Sequence, residues 1–240
     1  MARLYAGTSG WAYPTWKPGF YPEKLAQSKF LPHYASRLNT VEVNYTFRHR
    51  LSEKTTQNWL AQTPAGFRFG FKAHQAITHF RQLRDSAQLV TDFLAALNPF
   101  AAAQKLGPVL FQTPPQLKCD VGLLGEFVSG LPRNAQFAFE FRHQSWFAEP
   151  VYELLRGRNV ALCMAESEKI EVPRVRTADF VYLRLRREPY DAQALLEIGT
   201  EIREHLAGGA DVFAYFKHED DPMGALHAEM LLKDASPAVA

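Results

Sequence analysis

Short runs in which apolar residues alternate with polar or small ones recur along the whole chain. Eight of them read as strands: Leu4–Thr8, Asn39–Val43, Phe67–Lys72, Pro108–Gln112, Gln136–Arg142, Asn159–Met164, Phe180–Leu185 and Asp211–Phe216. Successive strand residues point to opposite faces. Phe67, Phe69 and Phe71 therefore oppose Arg68, Gly70 and Lys72, and Phe137, Phe139 and Phe141 oppose Ala138, Glu140 and Arg142. Val181, Leu183 and Leu185 oppose Tyr182, Arg184 and Arg186, while Val41 and Val43 oppose Thr40, Glu42 and Asn44. Between most of the runs the apolar period changes to that of a helix. Phe30, Leu31, Tyr34 and Leu38 form one such stripe, and Leu89, Phe93, Leu94 and Leu97 another. Val121, Leu124, Phe127 and Val128 form a third, and Val151, Leu154 and Leu155 a short one. Leu195, Ile198, Ile202 and Leu206 give a longer stripe, and Leu226 with Met230 suggests a closing helix.

Strand, helix and strand repeated without a Pro/Gly/Ser-rich linker predict parallel βα units in one domain spanning residues 1–240. Eight such units close into a single (β/α)8 TIM-type barrel, a fold that takes about 250 residues. The unit after strand six is degenerate, because residues 165–178 carry Pro173, scattered charge and no apolar stripe. The rival architecture is an open doubly wound sheet, which calls for a Gly-rich phosphate turn opening a helix after the first strand. Here Gly7-Thr8-Ser9-Gly10 runs instead into Trp11, Tyr13 and Pro14.

Hydrophobic residues make up 47% and charged residues 22%, which excludes disorder for the bulk of the chain. A net charge of +2 does not call for a polyanionic partner, although it leaves room for a local basic patch. Cys119 and Cys163 lack CxxC spacing, which argues against a disulfide framework or a cysteine-based zinc site. The first residues run straight into a strand and lack the apolar core of a secretory signal. No apolar run approaches the ~20 residues needed to cross a bilayer. The expectation is a cytoplasmic protein with no membrane partner; the sequence is silent on its oligomeric state.

In a barrel the helices cover the apolar face of each strand, so the polar face turns inward. That places Glu42, Lys72, Gln112, Glu140, Arg142, Arg184 and Lys217 at or near the C-terminal strand ends, where barrel enzymes build their sites. Two readings follow: a ligand site, or an ion-pair network that closes a polar interior. Glu140, set between phenylalanines and near cations, is the expected acid/base group, with the structural alternative that it only orients Arg142. Glu42 would orient Lys72 or Arg142. Arg142 and Arg184 present forks suited to phosphate or carboxylate. Lys72 supplies a point charge, and the neighbouring glutamates are expected to keep it charged rather than free it as a Schiff-base nucleophile.

His74, His79, His143, His218 and Glu219, with Glu42 and Glu166, carry no metal-ligand spacing such as HExxH. The expectation is therefore no cofactor, with a divalent metal as the weaker alternative. Trp11, Tyr13, Trp16, Phe20 and Tyr21 cluster after strand one, Tyr45 and Phe47 after strand two, and Trp146 and Phe147 after strand five. They form either a lid packed over the loops or a stacking platform for a sugar ring or base. Basic groups after several strands put positive charge on one rim, so the expected partner is a small anionic ligand, with nucleic acid as the alternative. Substrate contacts are expected from Arg142, Arg184, Gln112, His74, Trp11, Tyr45, His143 and Lys217.

Several stretches in order along the chain carry a resemblance. They are Gly7-Thr8-Ser9-Gly10-Trp11, Phe20-Tyr21-Pro22, Asn39-Thr40-Val41-Glu42-Val43-Asn44 and Lys72-Ala73-His74 with Ile77-Thr78-His79. Further along come Leu106-Gly107-Pro108-Val109-Leu110-Phe111-Gln112-Thr113-Pro114-Pro115, Phe139-Glu140-Phe141-Arg142-His143 with Ser145-Trp146, and Tyr182-Leu183-Arg184-Leu185. Together they resemble the YecE-like family, number seventy-two among the domains of unknown function, over nearly the whole chain. The resemblance implies a (β/α)8-type barrel with its pocket at the strand C-termini. It implies little about activity; analogies of fold run to barrels of the xylose-isomerase and apurinic-endonuclease type.

The chain also departs from the family pattern. Arg186-Arg187 replaces a usual His-Gly, Tyr45-Thr46-Phe47-Arg48-His49-Arg50 replaces a stretch that usually carries Ser-Thr-Phe-Tyr, and Lys217-His218-Glu219-Asp220 stands where Asn-Asn-Asp is common. These changes fall on the expected rim and bear on ligand choice. The expected function is a hydrolase- or isomerase-like enzyme acting on a phosphorylated sugar or polyol by acid/base chemistry. The alternatives are a nucleic-acid-binding or phosphodiester-cleaving barrel and a non-catalytic ligand-binding barrel.

Overall fold

A computed structural model describes residues 2–187, 189–217 and 220–235. Eight strands run parallel: β1 Leu4–Thr8, β2 Thr40–Val43, β3 Arg68–Lys72, β4 Leu106–Gln112, β5 Phe137–Glu140, β6 Ala161–Ala165, β7 Phe180–Leu185 and β8 Asp211–Phe216. Each pairs with its sequence neighbours, and β8 returns to β1 through Leu4↔Val212 to Thr8↔Phe216, closing the barrel. The open sheet is thereby set aside. Every strand expected from the alternation is present. The fifth stops at Glu140 rather than Arg142, because Phe141 turns out to stack on Trp146 with ring centroids 4.5 Å apart.

The surrounding helices are α1 Phe30–Arg37, α2 Glu53–Ala61, α3 Ala87–Ala102, α4 Val121–Ser129, α5 Glu149–Gly157, α6 Ala192–Ala207 and α7 Met223–Ala235. Three begin at side-chain caps that satisfy an otherwise orphaned backbone N–H. Ser52 accepts from Thr55 N at 3.1 Å, Asp120 from Leu123 N at 2.9 Å and Asp191 from Ala194 N at 2.8 Å. The segment 166–179 between β6 and β7 carries no helix, as its missing stripe predicts. Helix α2 has no counterpart among the expected stripes. Only Thr56 of it is fully buried, with Trp59 and Leu60 packed partly against the core, so its apolar face is too thin to register as a period.

Two layers of core hold the site. Outside the barrel, the outward phenylalanines meet the helices: Phe69 and Phe71 pack on Phe100, and Phe111 and Phe139 on Phe127. Inside, Tyr5 stacks on Phe213 with centroids 4.5 Å apart, and Leu110, Cys163, Tyr182 and Tyr215 are fully buried above them. Gly70 makes room for this layer, since a Cβ there would lie 2.7 Å from the Tyr215 hydroxyl. That hydroxyl bonds Thr40 Oγ1 at 3.0 Å. The lower barrel is thus a packed aromatic floor, and the polar groups stand on top of it at the C-terminal strand ends.

The aromatic residues after β1 form a packed lid. Trp16 and Tyr21 are fully buried, and Tyr21 stacks on Phe30 at 4.1 Å. Among the described residues no helix is long and apolar enough to cross a membrane. His218 and Glu219, expected at the rim, and residues 236–240 lie outside the described residues.

Candidate functional site

Arg184, on the inward face of β7, is the centre of the polar layer. Its Nη2 donates to Glu42 Oε1 at 2.5 Å and its Nη1 to Glu140 Oε2 at 2.5 Å. All three side chains are buried, at 3%, 0% and 4% exposure. The remaining lone pairs of both carboxylates are met, which offsets the cost of burying them, while the buried Nε of Arg184 has no partner among the described residues. Glu42 accepts from Ser9 Oγ at 2.7 Å, from Tyr182 Oη at 2.6 Å and from Asn44 Nδ2 at 3.3 Å. Glu140 accepts from Gln112 Nε2 at 2.9 Å and from Arg142 Nε at 2.8 Å. Burial alone would raise the pKa of both carboxyls, but Arg184 and the donors around it outweigh that and hold both below the usual range. Both stay ionised at neutral pH.

Lys72 differs from that expectation. Its Nζ donates to Gln112 Oε1 at 2.8 Å and sits 4.0 Å from the Phe47 ring centroid. Gln112 thus stands between the ammonium and Glu140, taking Lys72 on one amide atom and giving the other to the carboxylate. Burial, with repulsion from Arg184 next, pushes the Lys72 pKa down to about 8. The glutamates favour the charged form but are outweighed, so the shift runs downward rather than upward, and the ammonium still predominates at neutral pH.

Above this layer opens a cavity of about 560 Å³. Its wall carries six cationic side chains: Arg48, Lys72, Arg142, Arg184, Arg186 and Lys217. No carboxylate lines it among the described residues; Glu42 and Glu140 lie behind the wall. Six cations against two carboxylates leave a surplus of four positive charges. Arg186 faces the cavity 4.0 Å from Glu140, and its buried Nε has no hydrogen-bond partner. The loop that aims it is pinned by Glu166, whose Oε2 accepts from Arg186 N at 2.6 Å, from Arg187 N at 3.0 Å and from the Tyr190 hydroxyl.

The expected site residues divide cleanly. Lys72, Gln112, Arg142, Arg184, Tyr45 and Lys217 meet at the cavity, with Glu42 and Glu140 directly beneath. Tyr45 is half-exposed at the rim and stacks on His49 at 4.6 Å. Trp11, His74 and His143 are not on the cavity wall. Trp11 packs edge-on to Trp59 at 5.0 Å. His74 accepts from Ala76 N at 3.2 Å and faces a separate small cavity beside α3. His143 binds Ser145 at the start of a helical turn. The sequence reading left out of its expected contacts Ser9, Asn44 and Tyr182, which complete the shell of Glu42; Asn44 has the parity of Glu42 and Tyr182 that of Arg184, while Ser9 lies just past the end of β1. Among the described residues no three His, Cys, Asp or Glu side chains converge as metal ligands. Glu166 is committed to the loop, His74 to Ala76 N and His143 to Ser145, while His218 and Glu219 lie outside the described residues.

Residues 5–239 match the family described as "Protein of unknown function DUF72", and the chain belongs to that family. It is 32% identical over 157 residues to the UPF0759 protein YunF of Bacillus subtilis, a match covering 62% of this chain and 54% of that protein. It is 31% identical over 158 residues to the UPF0759 protein YecE of Escherichia coli K12, covering 65% and 55%. The match thus spans about half the length of these curated relatives. The crystal structure of a DUF72 family protein from Thermotoga maritima superposes with a TM-score of 0.84 at 25% identity, covering 97% of this chain and 98% of that one. Likeness of fold alone extends to a family 2 AP endonuclease of Brucella melitensis, at a TM-score of 0.52 and 10% identity over 90% and 92% of the two chains. It extends also to D-psicose 3-epimerase of Clostridium cellulolyticum, at 0.53 and 12% over 96% and 98%.

Proposed function

We propose that this DUF72 chain binds a small phosphorylated sugar or polyol at the barrel mouth and performs an acid/base step on it. The observation that carries this reading is the cavity wall itself: six cations and no carboxylate among the described residues. A surplus of positive charge lining a recessed mouth attracts an anion and orients it. A volume of about 560 Å³ suits a small metabolite. Arg142, Arg186 and Lys217 offer donors to the anion, and Arg184, already holding two carboxylates, sets the field beneath it.

The proton carrier in this mechanism is Lys72. A group works best as an acid or base when its pKa lies near the working pH, and Lys72 sits near 8. Glu140 was the candidate from sequence, but three donors and a depressed pKa keep it ionised and occupied. Its part, with Glu42, is to fix Arg184 and Gln112, and through Gln112 the amine of Lys72.

A thermal-shift series tests the reading, because a ligand that binds only the folded state raises its apparent stability. Inorganic phosphate and sugar phosphates should raise Tm, the matching unphosphorylated sugars should not, and Arg186→Ala should weaken the response. A response to sugars without phosphate, or none to any phosphate, would overturn it. The second reading rests on the exposed aromatic residues Tyr45 and Phe80 at 50% and 73%, which suit base stacking. It predicts a shift with single-stranded DNA or RNA that falls steeply with salt and is absent with small phosphates.

A further inference from the structure

The chemistry that Lys72 can do depends on how its amine is held. An ammonium has three N–H groups, and only one is used, on the neutral amide oxygen of Gln112 at 2.8 Å. Lys72 forms no ion pair among the described residues, although it is a cation in a layer with two carboxylates. Arg184 has taken both of them. Lys72 lines the cavity, and Nζ also sits over the Phe47 ring at 4.0 Å from its centroid, a weak cation–π contact in place of a counter-ion. A lysine that is held at one point, left without a counter-ion and crowded by guanidinium groups is the arrangement that activates an amine as a nucleophile.

We infer that Lys72 forms an imine with the carbonyl carbon of a small phosphorylated aldehyde or ketone bound in the cationic mouth. The inference rests on the anion-binding part of the reading above, puts Lys72 in the role of nucleophile in place of proton carrier, and narrows the substrate class to one with both a phosphate and a carbonyl. In the step, the neutral amine adds to the carbonyl carbon; the N–C bond forms and the carbonyl π electrons move to oxygen. That oxygen takes two protons and leaves as water, and the C–O bond breaks as the nitrogen lone pair forms the C=N bond. Counted from the ammonium, one carbonyl compound enters, one water leaves and the product is the protonated imine, so no outside proton, oxidant or reductant is needed. The positive imine gains nothing from the surrounding cations alone, but Glu140 and Glu42 lie behind it and the bound phosphate lies in front. The resulting electron sink would serve a C–C or C–H bond change beside the former carbonyl.

A lowered pKa leaves a larger share of the amine neutral near pH 8 than an ordinary lysine has, although the ammonium still predominates at pH 7. Burial and Arg184 lower its pKa to about 8, with Arg142 acting the same way and Glu140 and Glu42 opposing. His79, which packs on Phe47, has its own pKa lowered by burial and by Lys72, so it adds no further charge near neutrality.

The test uses the full chain, glyceraldehyde 3-phosphate as probe and sodium borohydride to fix any imine as a stable secondary amine, followed by intact-mass measurement and peptide mapping. One adduct per chain is expected, on the peptide carrying Lys72. Its yield should rise between pH 6 and pH 9, fall when inorganic phosphate competes, and drop by about tenfold or more with unphosphorylated glyceraldehyde, because the charged contacts to phosphate are lost. Lys72→Arg should abolish it; mapping on the unaltered chain gives the answer even if that variant folds poorly. Adducts spread over exposed lysines, or seated on Lys217, would overturn the inference. So would no adduct from a protein whose Tm still rises with inorganic phosphate, an outcome that leaves the anion-binding reading standing. Absence of both the adduct and the phosphate response would remove the two together.

Discussion

Replacing Arg184 with Met isolates what the buried triad contributes. Methionine fills much of the volume and leaves two carboxylates facing each other without their shared cation. Each now loses a 2.5 Å charged contact in a site where all three side chains are at most 4% exposed. At an effective dielectric of about 20, each contact at ~4 Å is worth about 4 kcal/mol before desolvation is counted. The cost is moderated because Glu42 keeps Ser9 and Tyr182, and Glu140 keeps Gln112 and Arg142. The expected loss is about 3–5 kcal/mol, the usual result of removing one partner from a buried pair. For a chain of this size that lowers Tm by about 6–20 °C. Calorimetry at pH 7 reads it. Adding Glu42→Gln and Glu140→Gln should recover most of the loss, because the unpaired charges are then gone. The pH dependence has a fixed sign. In the unaltered protein both carboxyls have pKa values below the ordinary 4.5, so their stabilisation is complete above about 4.5 and is lost as pH falls from there towards the folded-state values. In Arg184→Met burial is opposed only by the remaining donors, so the carboxyls take protons at higher pH and the gap between the proteins should narrow on acidification. An unchanged Tm in Arg184→Met, or a triple variant no more stable than the single one, would refute the account.

Lys72→Met should stabilise the protein at pH 7. The folded lysine releases its proton near 8 and the unfolded one near 10.5, which amounts to at most about 3 kcal/mol, less about 1 kcal/mol for the lost bond to Gln112. Stability of the unaltered chain therefore rises between pH 8 and pH 10.5, where the unfolded state holds the extra proton, and the advantage of Met should vanish above that window. Urea unfolding at pH 7 and pH 10.5 checks this, and an equal difference at both would sink it. Gly70→Ala should cost about 1–3 kcal/mol, because its Cβ would lie 2.7 Å from the Tyr215 hydroxyl and push it off Thr40. A urea midpoint within error of the unaltered chain would count against the packed barrel floor.

The barrel was legible because its strands encode two environments at once. Phe67, Phe69 and Phe71 must meet helices, so Arg68, Gly70 and Lys72 must face inward, and one alternating run fixes both faces. The same logic put Glu42, Glu140 and Arg184 in one layer before any contact was known. Helix α2 was not legible, since it buries little and leans on its Ser52 cap rather than on a stripe. The rim was read only in part. Trp11, His74 and His143 have the residue types of ligand contacts, but each lies on a loop whose path is set by local partners, Trp59, Ala76 and Ser145, that no periodicity reveals.

The state of Lys72 shows where sequence reasoning stops and geometry takes over. Parity places Lys72 beside glutamates, and proximity alone argues for a stable ammonium. The outcome turns on which cation reaches the carboxylates first. Arg184 carries a planar fork that spans Glu42 and Glu140 together, which a lysine's single point charge does not do. Once the fork is seated, Gln112 shares Glu140 Oε2 with Arg184, Arg142 takes the remaining oxygen, and Gln112 offers Lys72 only an amide. The carboxylates that would have stabilised the ammonium are thereby committed to Arg184, and the field left at Nζ is that of a guanidinium and a buried site. The ion-pair network and the ligand site, which the sequence presents as rival readings of the same residues, are on this view two parts of one arrangement: the network holds Arg184 in place, and Arg184 lowers the pKa of the amine that faces the cavity.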